Sequence, residues 1–528
     1  MNNRPTLVIG LLTLVAGFIL IFTNLGHYAL WDDEAMDALS ARAIVKTGDV
    51  SAVLDHNIVA YRNGLLLVNM RHQAMPPLAG YAIAASYAVF GESAWSSRFP
   101  FALSGFLCLA LLLFWVYQKA NHWSTMLFFS LGLLCNVSLL LYFRNSHYYA
   151  VGIFCNVAIV YLYLNHLHKT LFQVLLAIVS GLLMTANYSW FVTLYVCLLF
   201  DFIFWRRKTI QLGVRDYVRI LLPQVPFGLL LLWKFNPLGT GLGGYLKENT
   251  FADRMVLYFW NWRDLNQCEF LPGIFVLIAL CFWPMIGSSH LKRALAALFI
   301  YISTVTVLST QLVKQTSVSD VRYMAGAIPL CIAIVGFILV KVWKKSPALA
   351  LGLALVVFGT NLFNGGPMTY SGFRSTPLAY IKELAQPIDE PFTPASKWIN
   401  EHVAQKQSIW VLPEYMNYPL MFRSPHPVYA WQLASDNRDP QFAKLPLIHF
   451  QGRVPPDYVM VLGPSIQQVI PLLKSWAEQN INYQHEATLN HYWKDMYRPE
   501  LFWRTFTPVK KFNEQFEVIQ IFKLKSAI

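Results

Sequence analysis

Long apolar runs recur along the first two thirds of the chain and alternate with short polar or charged segments. Because a helix rises about 1.5 Å per residue, roughly 20 apolar residues cross the hydrocarbon core of a bilayer. The pattern predicts eleven membrane-spanning helices, at 5–23, 99–117, 125–141, 148–165, 171–186, 188–204, 218–234, 273–286, 295–312, 324–342 and 347–363. The run 78–90 is shorter and follows Pro76-Pro77, which predicts an interfacial or re-entrant helix.

Basic residues concentrate in every second loop between these runs. With the N-terminus inside, the cytoplasmic loops hold Lys119, Lys169, Arg206, Arg207, Lys208, Arg215, Lys292, Arg293, Lys344 and Lys345. The short external loops hold only Arg144, Lys314 and Arg322. This distribution follows the positive-inside rule and places 24–98, 235–272 and the chain beyond about residue 364 outside the cytoplasm.

The apolar pattern stops near residue 364. Residues 364–392 are rich in glycine and proline, which is typical of a linker. Alternating and periodic patterns then predict strands at 408–412, 457–462 and 516–522 and helices at 394–405 and 465–480. We therefore expect a water-soluble α/β domain at 393–528, and its sequence holds no nucleophile motif, phosphate-binding glycine loop or metal-ligand spacing.

Composition agrees with a polytopic membrane protein. Of 528 residues, 56% are hydrophobic and 13% are charged, and the mean hydropathy is +0.42, whereas soluble chains carry about 25% charged residues. The net charge of +13 follows the cytoplasmic loops, so it does not indicate nucleic-acid binding. Six of the seven cysteines lie in apolar runs and only Cys268 lies in a loop, so no disulfide framework is predicted.

An acidic cluster, Asp32-Asp33-Glu34, follows the first apolar run. Residues 34–46 are predicted to form an amphipathic helix that stops at Gly48, with Asp32 or Asp33 at its N-cap. A carboxylate at that position is rigid and is kept ionised by the helix dipole, as a general base for a hydroxyl must be. The alternative is a carboxylate that only caps the helix. Asp37, one turn later, either supports Asp33 or faces water.

Three groups of residues resemble the GT-C glycosyltransferases, in particular the bacterial relatives of protein O-mannosyltransferases and of the lipid A aminoarabinose transferase. The segment Leu30-Trp31-Asp32-Asp33-Glu34-Ala35 is similar to their first-loop signature. The order Pro76-Pro77-Leu78, Phe90-Gly91 and Arg98-Phe99-Pro100 is similar to a second pattern, and Arg322-Tyr323 followed by Pro329 resembles a late Arg-Tyr … Pro element. Two positions depart from the family. Met75 replaces a lysine or histidine, for which Arg71 or His72 is a substitute, and the turn 144–149 lacks a second acid.

The resemblance implies a mainly α fold, a polytopic membrane helical bundle of about 11–13 transmembrane helices with a C-terminal soluble α/β domain. The bundle, 1–363, includes a long first external loop at 24–98, and the linker 364–392 leads to the external domain 393–528. The resemblance also implies a bacterial inner (plasma) membrane location with the C-terminus outside.

The same resemblance implies transfer of a sugar, with inversion, from a polyprenyl-phosphate donor to a lipid, glycan or protein acceptor on the external face. Asp33 and Glu34 are the expected catalytic residues, with Asp33 as general base. The residues expected to bind the substrate and stabilise the leaving phosphate are Arg71, His72, Arg144, Arg322 and Tyr323. This chemistry needs no nucleotide, and whether Glu34 or Asp32 also holds a divalent ion is open.

Two other functions fit a polytopic chain with a few external charges. The first is a lipid or sugar transporter or flippase, although ion-coupled carriers bury ionisable residues near the membrane midplane and these runs hold few. The second is an oligosaccharide polymerase or ligase that uses the same lipid carriers on another fold.

Overall fold

The computed structural model describes residues 4–72, 76–165, 169–207, 214–235, 248–265, 273–315, 319–363, 373–387, 390–490 and 518–525. Sequence predictions that involve Met75, Lys208, Cys268 or the linker residues 364–372 and 388–389 lie outside these residues.

The described residues of the first two thirds are almost entirely helical. The helices are α1 Arg4–Phe22, α2 Asp32–Thr47, α3 Leu78–Phe90, α4 Ala94–Lys119, α5 Trp123–Cys135, α6 Val137–Arg144, α7 Tyr149–Asn165, α8 Thr170–Ala186, α9 Tyr188–Asp201, α10 Val214–Leu221, α11 Gln224–Lys234, α12 Phe251–Asp264, α13 Gly273–Cys281, α14 Ser289–Leu308, α15 Ile328–Trp343 and α16 Pro347–Gly359. Between α2 and α3, two short hairpins pair β1 Val53–Leu54 with β2 Asn57–Ile58 and β3 Leu67–Val68 with β4 Arg71–His72.

Several of these helices are long and apolar enough to cross a membrane. They are α1, α4, α9 with its extension to Arg206, α14, and the continuous segment Val321–Trp343 that ends with α15. The pair α5–α6, bent by 60°, makes a sixth if it counts as one span. The mainly helical, multi-pass membrane fold is therefore confirmed. The remaining predicted spans coincide with shorter helices such as α7, α8 and α16, so the count of eleven stays a prediction.

Two local features place chain segments beside α2. Helix α3 has 13 residues, or about 20 Å, which is too short for a hydrocarbon core of about 30 Å, in agreement with the interfacial or re-entrant helix that was predicted. The bend between α5 and α6 lies at Asn136, whose side chain accepts a hydrogen bond from the Leu139 backbone N–H at 2.8 Å. This cap starts α6 in a new direction. The turn 144–148 that follows α6 then contacts the first turn of α2 through Ser146 and Glu34.

The C-terminal region contains helices and a mixed sheet. The helices are α17 Thr376–Ala385, α18 Phe392–His402, α19 Asn417–Arg423 and α20 Ile466–Glu478, and the strands are β5 Ser408–Leu412, β6 Val428–Tyr429, β7 Tyr458–Leu462, β8 Tyr483–Asn490 and β9 Val518–Leu524. The strand order is β6-β5-β7-β9-β8, with β6 and β7 parallel to β5 and with β9 antiparallel to both β7 and β8. The predicted α/β fold is confirmed, although the short β6 and the polar β8 were not predicted. The domain boundaries stay a prediction.

The C-terminal region packs directly on the acidic helix α2. The Arg42 guanidinium on α2 donates to the Phe422 carbonyl of α19 at 2.6 Å and lies 5.0 Å from the centre of the Phe422 ring. In β2, the Asn57 side chain donates to the Pro427 carbonyl and accepts from the Tyr429 N–H, both at 2.8 Å. These contacts fix the sheet over the first loop, so the acidic cluster lies between the bundle and the C-terminal region.

Candidate active site at the start of the acidic helix

Helix α2 begins with three buried carboxylates. Trp31 is the N-cap, so Asp32 and Asp33 occupy the first turn instead of the capping position that was predicted. Gly48 ends the helix with a φ of 77°, the left-handed conformation that glycine adopts at low cost. The first turn of a helix favours negative charge because its backbone N–H groups are unpaired there. This position makes ionised side chains tolerable at a buried site.

The buried Glu34 carboxylate is hydrogen-bonded to residues from two other segments of the chain. Its carboxylate accepts hydrogen bonds from the Arg98 guanidinium at 2.9 and 2.5 Å and from the Ser146 backbone N–H at 2.7 Å, and the side chain is 1% exposed. Arg98 also donates to the carbonyls of the turn that precedes α2, those of Leu25, Tyr28 and Ala29. Glu34 therefore joins α2, α4 and the turn after α6. The catalytic role predicted for it stays a prediction.

We expect Glu34→Gln to destabilise the fold strongly. The substitution leaves the buried Arg98 charge without a carboxylate, and breaking a buried ion pair costs about 3–5 kcal/mol. The matched control is Glu401→Gln, which breaks the exposed Lys397–Glu401 pair and is expected to cost about 0–1 kcal/mol. Thermal unfolding of both variants in detergent measures the difference. Equal unfolding temperatures for the two variants would contradict the conclusion that the Glu34–Arg98 ion pair stabilises the fold.

Asp33 contacts a cation from a distant part of the chain. Its carboxylate lies 2.8 Å from the Arg322 guanidinium, which also pairs with Asp320 at 2.8 Å. Arg322 belongs to a 3₁₀ turn, Val321–Ala327, that leads into α15. Its guanidinium carbon is 5.6 Å from the centre of the Tyr323 ring. Burial raises the pKa of Asp320 to about 6 against the opposing effect of Arg322. One cation thus stands between two carboxylates.

Two further acids of α2 are buried beside Asp33. Asp32 has a carboxylate oxygen, Oδ1, without a hydrogen bond among the described residues, and burial together with the Asp33 charge raises its pKa well above the ordinary value. Asp37 lies 2.5 Å from Nδ1 of His147. Burial raises the pKa of Asp37; burial alone would lower that of His147, but the Asp37 charge raises it above its ordinary value. Of the two predicted alternatives for Asp37, facing water is wrong.

The other predicted substrate-binding residues lie in different surroundings. Arg71 is half exposed and pairs with Asp49 at 3.2 Å. His72 is buried, and burial lowers its pKa to about 4, so its ring is neutral at pH 7. Arg144 donates to the carbonyls of Leu20 and Ile21 near the end of α1. The Tyr323 hydroxyl lies 3.1 Å from the Thr310 hydroxyl. Arg322 is the predicted cation that the structure brings into direct contact with Asp33.

Several residues of the site were not predicted to act there. Asp320 precedes Arg322 by two positions, which is a usable signal, and His147 lies in the turn that was noted only for its missing acid. Tyr61 and Tyr418 place their ring centres 6.5 Å apart. Burial, followed by the charges of Asp33 and Asp32, raises the pKa of Tyr61 to about 12. No pattern in the sequence links Tyr418 of the C-terminal region to this site.

Comparison with known proteins identifies the fold. No protein-family model matches the sequence, and no curated protein matches it. The structure is similar to that of apo ArnT from Cupriavidus metallidurans, with a TM-score of 0.54 and 13% identity over 98% of this chain and 97% of that one. ArnT bound to undecaprenyl phosphate gives a TM-score of 0.55 and 12% identity over 99% and 98% of the two chains. The chain therefore shares the fold of ArnT over nearly its whole length, in agreement with the fold that the sequence resemblance predicted.

Proposed function

We propose that the protein is a membrane glycosyltransferase that moves a sugar from a polyprenyl-phosphate donor to an acceptor on the external face of the membrane. The contact between Asp33 and Arg322 is the observation that carries this proposal, because a carboxylate that can act as a base lies beside a cation that can bind phosphate. The fold shared with ArnT, which has been solved bound to undecaprenyl phosphate, supports a lipid-linked donor. The sugar and the acceptor class, whether lipid, glycan or protein, remain unspecified.

In the proposed reaction, Arg322 binds the phosphate of the donor. A guanidinium forms two parallel hydrogen bonds with phosphate oxygens and stays charged at any pH that the fold tolerates. When the bond between the anomeric carbon and the phosphate oxygen breaks, its electron pair moves to that oxygen. Arg322 then stabilises the added negative charge, which is greater in the transition state than in the bound donor.

Asp33 acts on the acceptor. Its carboxylate takes the proton of an acceptor hydroxyl while the hydroxyl oxygen forms the new bond to the anomeric carbon. Attack from the side opposite to the leaving phosphate inverts the configuration of that carbon. We assign Glu34 a positioning role, because its contacts fix the first turn of α2 and therefore the direction of the Asp33 side chain.

The steps above are carried by side chains. Arg322 pairs with both Asp33 and Asp320 and offsets one of their two negative charges. Among the described residues, no group of three His, Cys, Asp or Glu side chains is arranged to hold a metal ion. We therefore expect activity to survive dialysis against EDTA in metal-free buffer. Loss of transfer that Mg²⁺ or Mn²⁺ restores would show that the acidic residues bind a metal with the substrate.

The test of the proposed function is the release of polyprenyl phosphate. The purified protein in lipid nanodiscs is mixed with polyprenyl-phosphate sugars and with an extract of envelope lipids and glycans, and the lipid products are quantified by mass spectrometry. A glycosyltransferase releases polyprenyl phosphate in proportion to the glycosylated acceptor. A transporter or flippase leaves the donor intact, and a ligase releases the lipid only from an oligosaccharide donor. Either of these last results would overturn the proposal.

The pKa of Asp320 predicts a pH dependence of phosphate binding. Above about pH 6, the ionised Asp320 carboxylate competes with phosphate for Arg322; below that pH it is protonated and the competition ends. We expect Asp320→Asn to bind polyprenyl phosphate about fivefold more tightly than the unmodified protein at pH 7.5 and equally at pH 5. The phosphate also titrates near pH 6, so the ratio of the two affinities is the readout. A ratio that stays constant between these pH values would contradict the prediction.

A further inference from the structure

A second cavity lies inside the helical bundle, away from the acidic helix. It has a volume of about 440 Å³ and is bounded by α4, α5, α7, α9, α14 and α15. Sites for small ligands range from about 300 to 1,000 Å³, so the space is large enough for one molecule. Asp33, Glu34 and Asp37 are not among the residues that line it. One end of the cavity is lined by Gly326 and Ala327, which follow Arg322 in the same turn, whereas the other end carries charged residues that the proposed glycosyl transfer does not use.

Small side chains create the width of this cavity. Ala294 and Ala297 on α14 and Ala333 on α15 line its wall, together with leucine, valine and aromatic residues. Ala333 is exposed, although it lies in the middle of a helix that is long and apolar enough to span a membrane. Asn156, Tyr163 and Tyr301 add polar groups to the wall, but most of the lining is apolar and therefore favours hydrocarbon.

One end of the cavity is charged. Lys119, His290 and Arg293 line this end, and Asp201 pairs with Arg293. The pair is internally neutral, so Lys119 leaves an excess of positive charge at this end. The lining residues His290 and Tyr301 are eleven positions apart on α14, which corresponds to about 16 Å of helix. The cavity therefore combines a cationic mouth with a long apolar interior.

The charged mouth opens at the membrane face opposite to the acidic site. Helix α4 begins close to Arg98, which binds Glu34, and ends at Lys119; helix α7 likewise starts beside His147 and runs away from it. By the predicted topology, the mouth faces the cytoplasm. If a polyprenyl donor bound its phosphate at Arg322, only its hydrocarbon chain could reach the charged mouth of the cavity. A hydrocarbon chain forms no ionic contact with Lys119. A lipid from the opposite leaflet brings a phosphate there.

We propose that this cavity binds one anionic phospholipid of the leaflet opposite to the Asp33 site. Its phosphate lies at Lys119 and His290, and one acyl chain enters between α7, α9 and α14. The excess of positive charge at the mouth selects an anionic over a zwitterionic headgroup. The apolar wall holds the chain, and the second chain remains in the bilayer. This inference is independent of the proposed glycosyl transfer.

Native mass spectrometry tests the site. The protein is reconstituted into nanodiscs of phosphatidylcholine and phosphatidylglycerol at a ratio of about 3 to 1, extracted into detergent and analysed for retained lipid. We expect one phosphatidylglycerol molecule per protein. Ala333→Trp fills the cavity and should reduce this occupancy at least tenfold. The matched control is Ala348→Trp, at an exposed position of helix α16, and this variant should retain the lipid. Retention by both variants, or absence of bound lipid from the unmodified protein, would overturn the proposal.

The headgroup preference is tested separately. Lys119→Gln combined with His290→Gln should reduce the ratio of bound phosphatidylglycerol to bound phosphatidylcholine about fivefold. Lys344→Gln combined with Lys345→Gln removes charge near the same membrane face without touching the cavity and should leave the ratio unchanged. The preparation is repeated with added undecaprenyl phosphate. If undecaprenyl phosphate displaces phosphatidylglycerol from the unmodified protein, the cavity belongs to the donor chain and the proposal fails.

Discussion

Replacing Asp33 by asparagine lowers the rate of sugar transfer about 10²- to 10⁴-fold, the contribution of a general base, while the protein still folds and binds the donor lipid. Asparagine has the shape of aspartate and its side-chain oxygen accepts the hydrogen bond from Arg322. It cannot take a proton from an acceptor hydroxyl. The rate falls because the base is lost, and the geometry of the site is kept.

The Asp33→Asn measurement needs a carboxylate control from the same loop. Asp55 is exposed and pairs with Lys46, so Asp55→Asn removes the same charge away from the site and should retain full activity. Release of polyprenyl phosphate gives the rate, and binding of polyprenyl phosphate to each variant shows that the donor site is intact. Full activity of Asp33→Asn would remove Asp33 from its role as base. Loss of lipid binding in the same variant would assign it to phosphate recognition.

Replacing Arg322 by glutamine weakens binding of polyprenyl phosphate about 10- to 150-fold, which corresponds to the loss of about 1.5–3 kcal/mol for a hydrogen bond to a charged group. The rate also falls because the leaving phosphate loses its stabilising charge. Arg322→Lys retains the positive charge but loses the two parallel N–H donors. Its affinity for polyprenyl phosphate should therefore lie between those of the unmodified protein and Arg322→Gln.

The Arg322 experiment also measures how the cation is shared. Removing it takes away the cation that Asp33 and Asp320 share, and the pKa of Asp320, which Arg322 lowers, should then rise further. The pH profile of the residual activity of Arg322→Gln should therefore move to higher pH. Arg453→Gln, at an exposed position of the C-terminal region, is the control and should change neither affinity nor profile. Unchanged lipid affinity in Arg322→Gln would contradict phosphate binding by Arg322.

The parts of the fold that could be predicted are those determined by local patterns. Apolar runs located the membrane-capable helices α1, α4 and α14, and the glycine after Thr47 located the end of α2. Alternation of apolar residues located β5 and β7. The strand β8 was missed because its residues are mostly exposed and polar, so it carries no hydrophobic period.

The candidate site depends on contacts that no local pattern encodes. Arg98 reaches Glu34 across 64 positions, and Arg322 reaches Asp33 across 289. The resemblance to GT-C proteins selected Asp33 and Arg322, but it also selected Arg71, which pairs with Asp49 instead. The neutral state of His72 follows from burial, and burial of a loop residue is a property of the packed structure.

The central claim is that Arg322 binds the phosphate of a polyprenyl donor beside the Asp33 carboxylate. The direct measurement is photo-crosslinking of the Asp33→Asn protein with a polyprenyl phosphate that carries a photoreactive group next to the phosphate, followed by mass spectrometry of the labelled peptides. We predict adducts on peptides that contain 28–36, 144–150 and 319–325, the segments that meet at this site. Adducts confined to the C-terminal sheet, or to the cavity mouth at Lys119 and Arg293, would contradict this account.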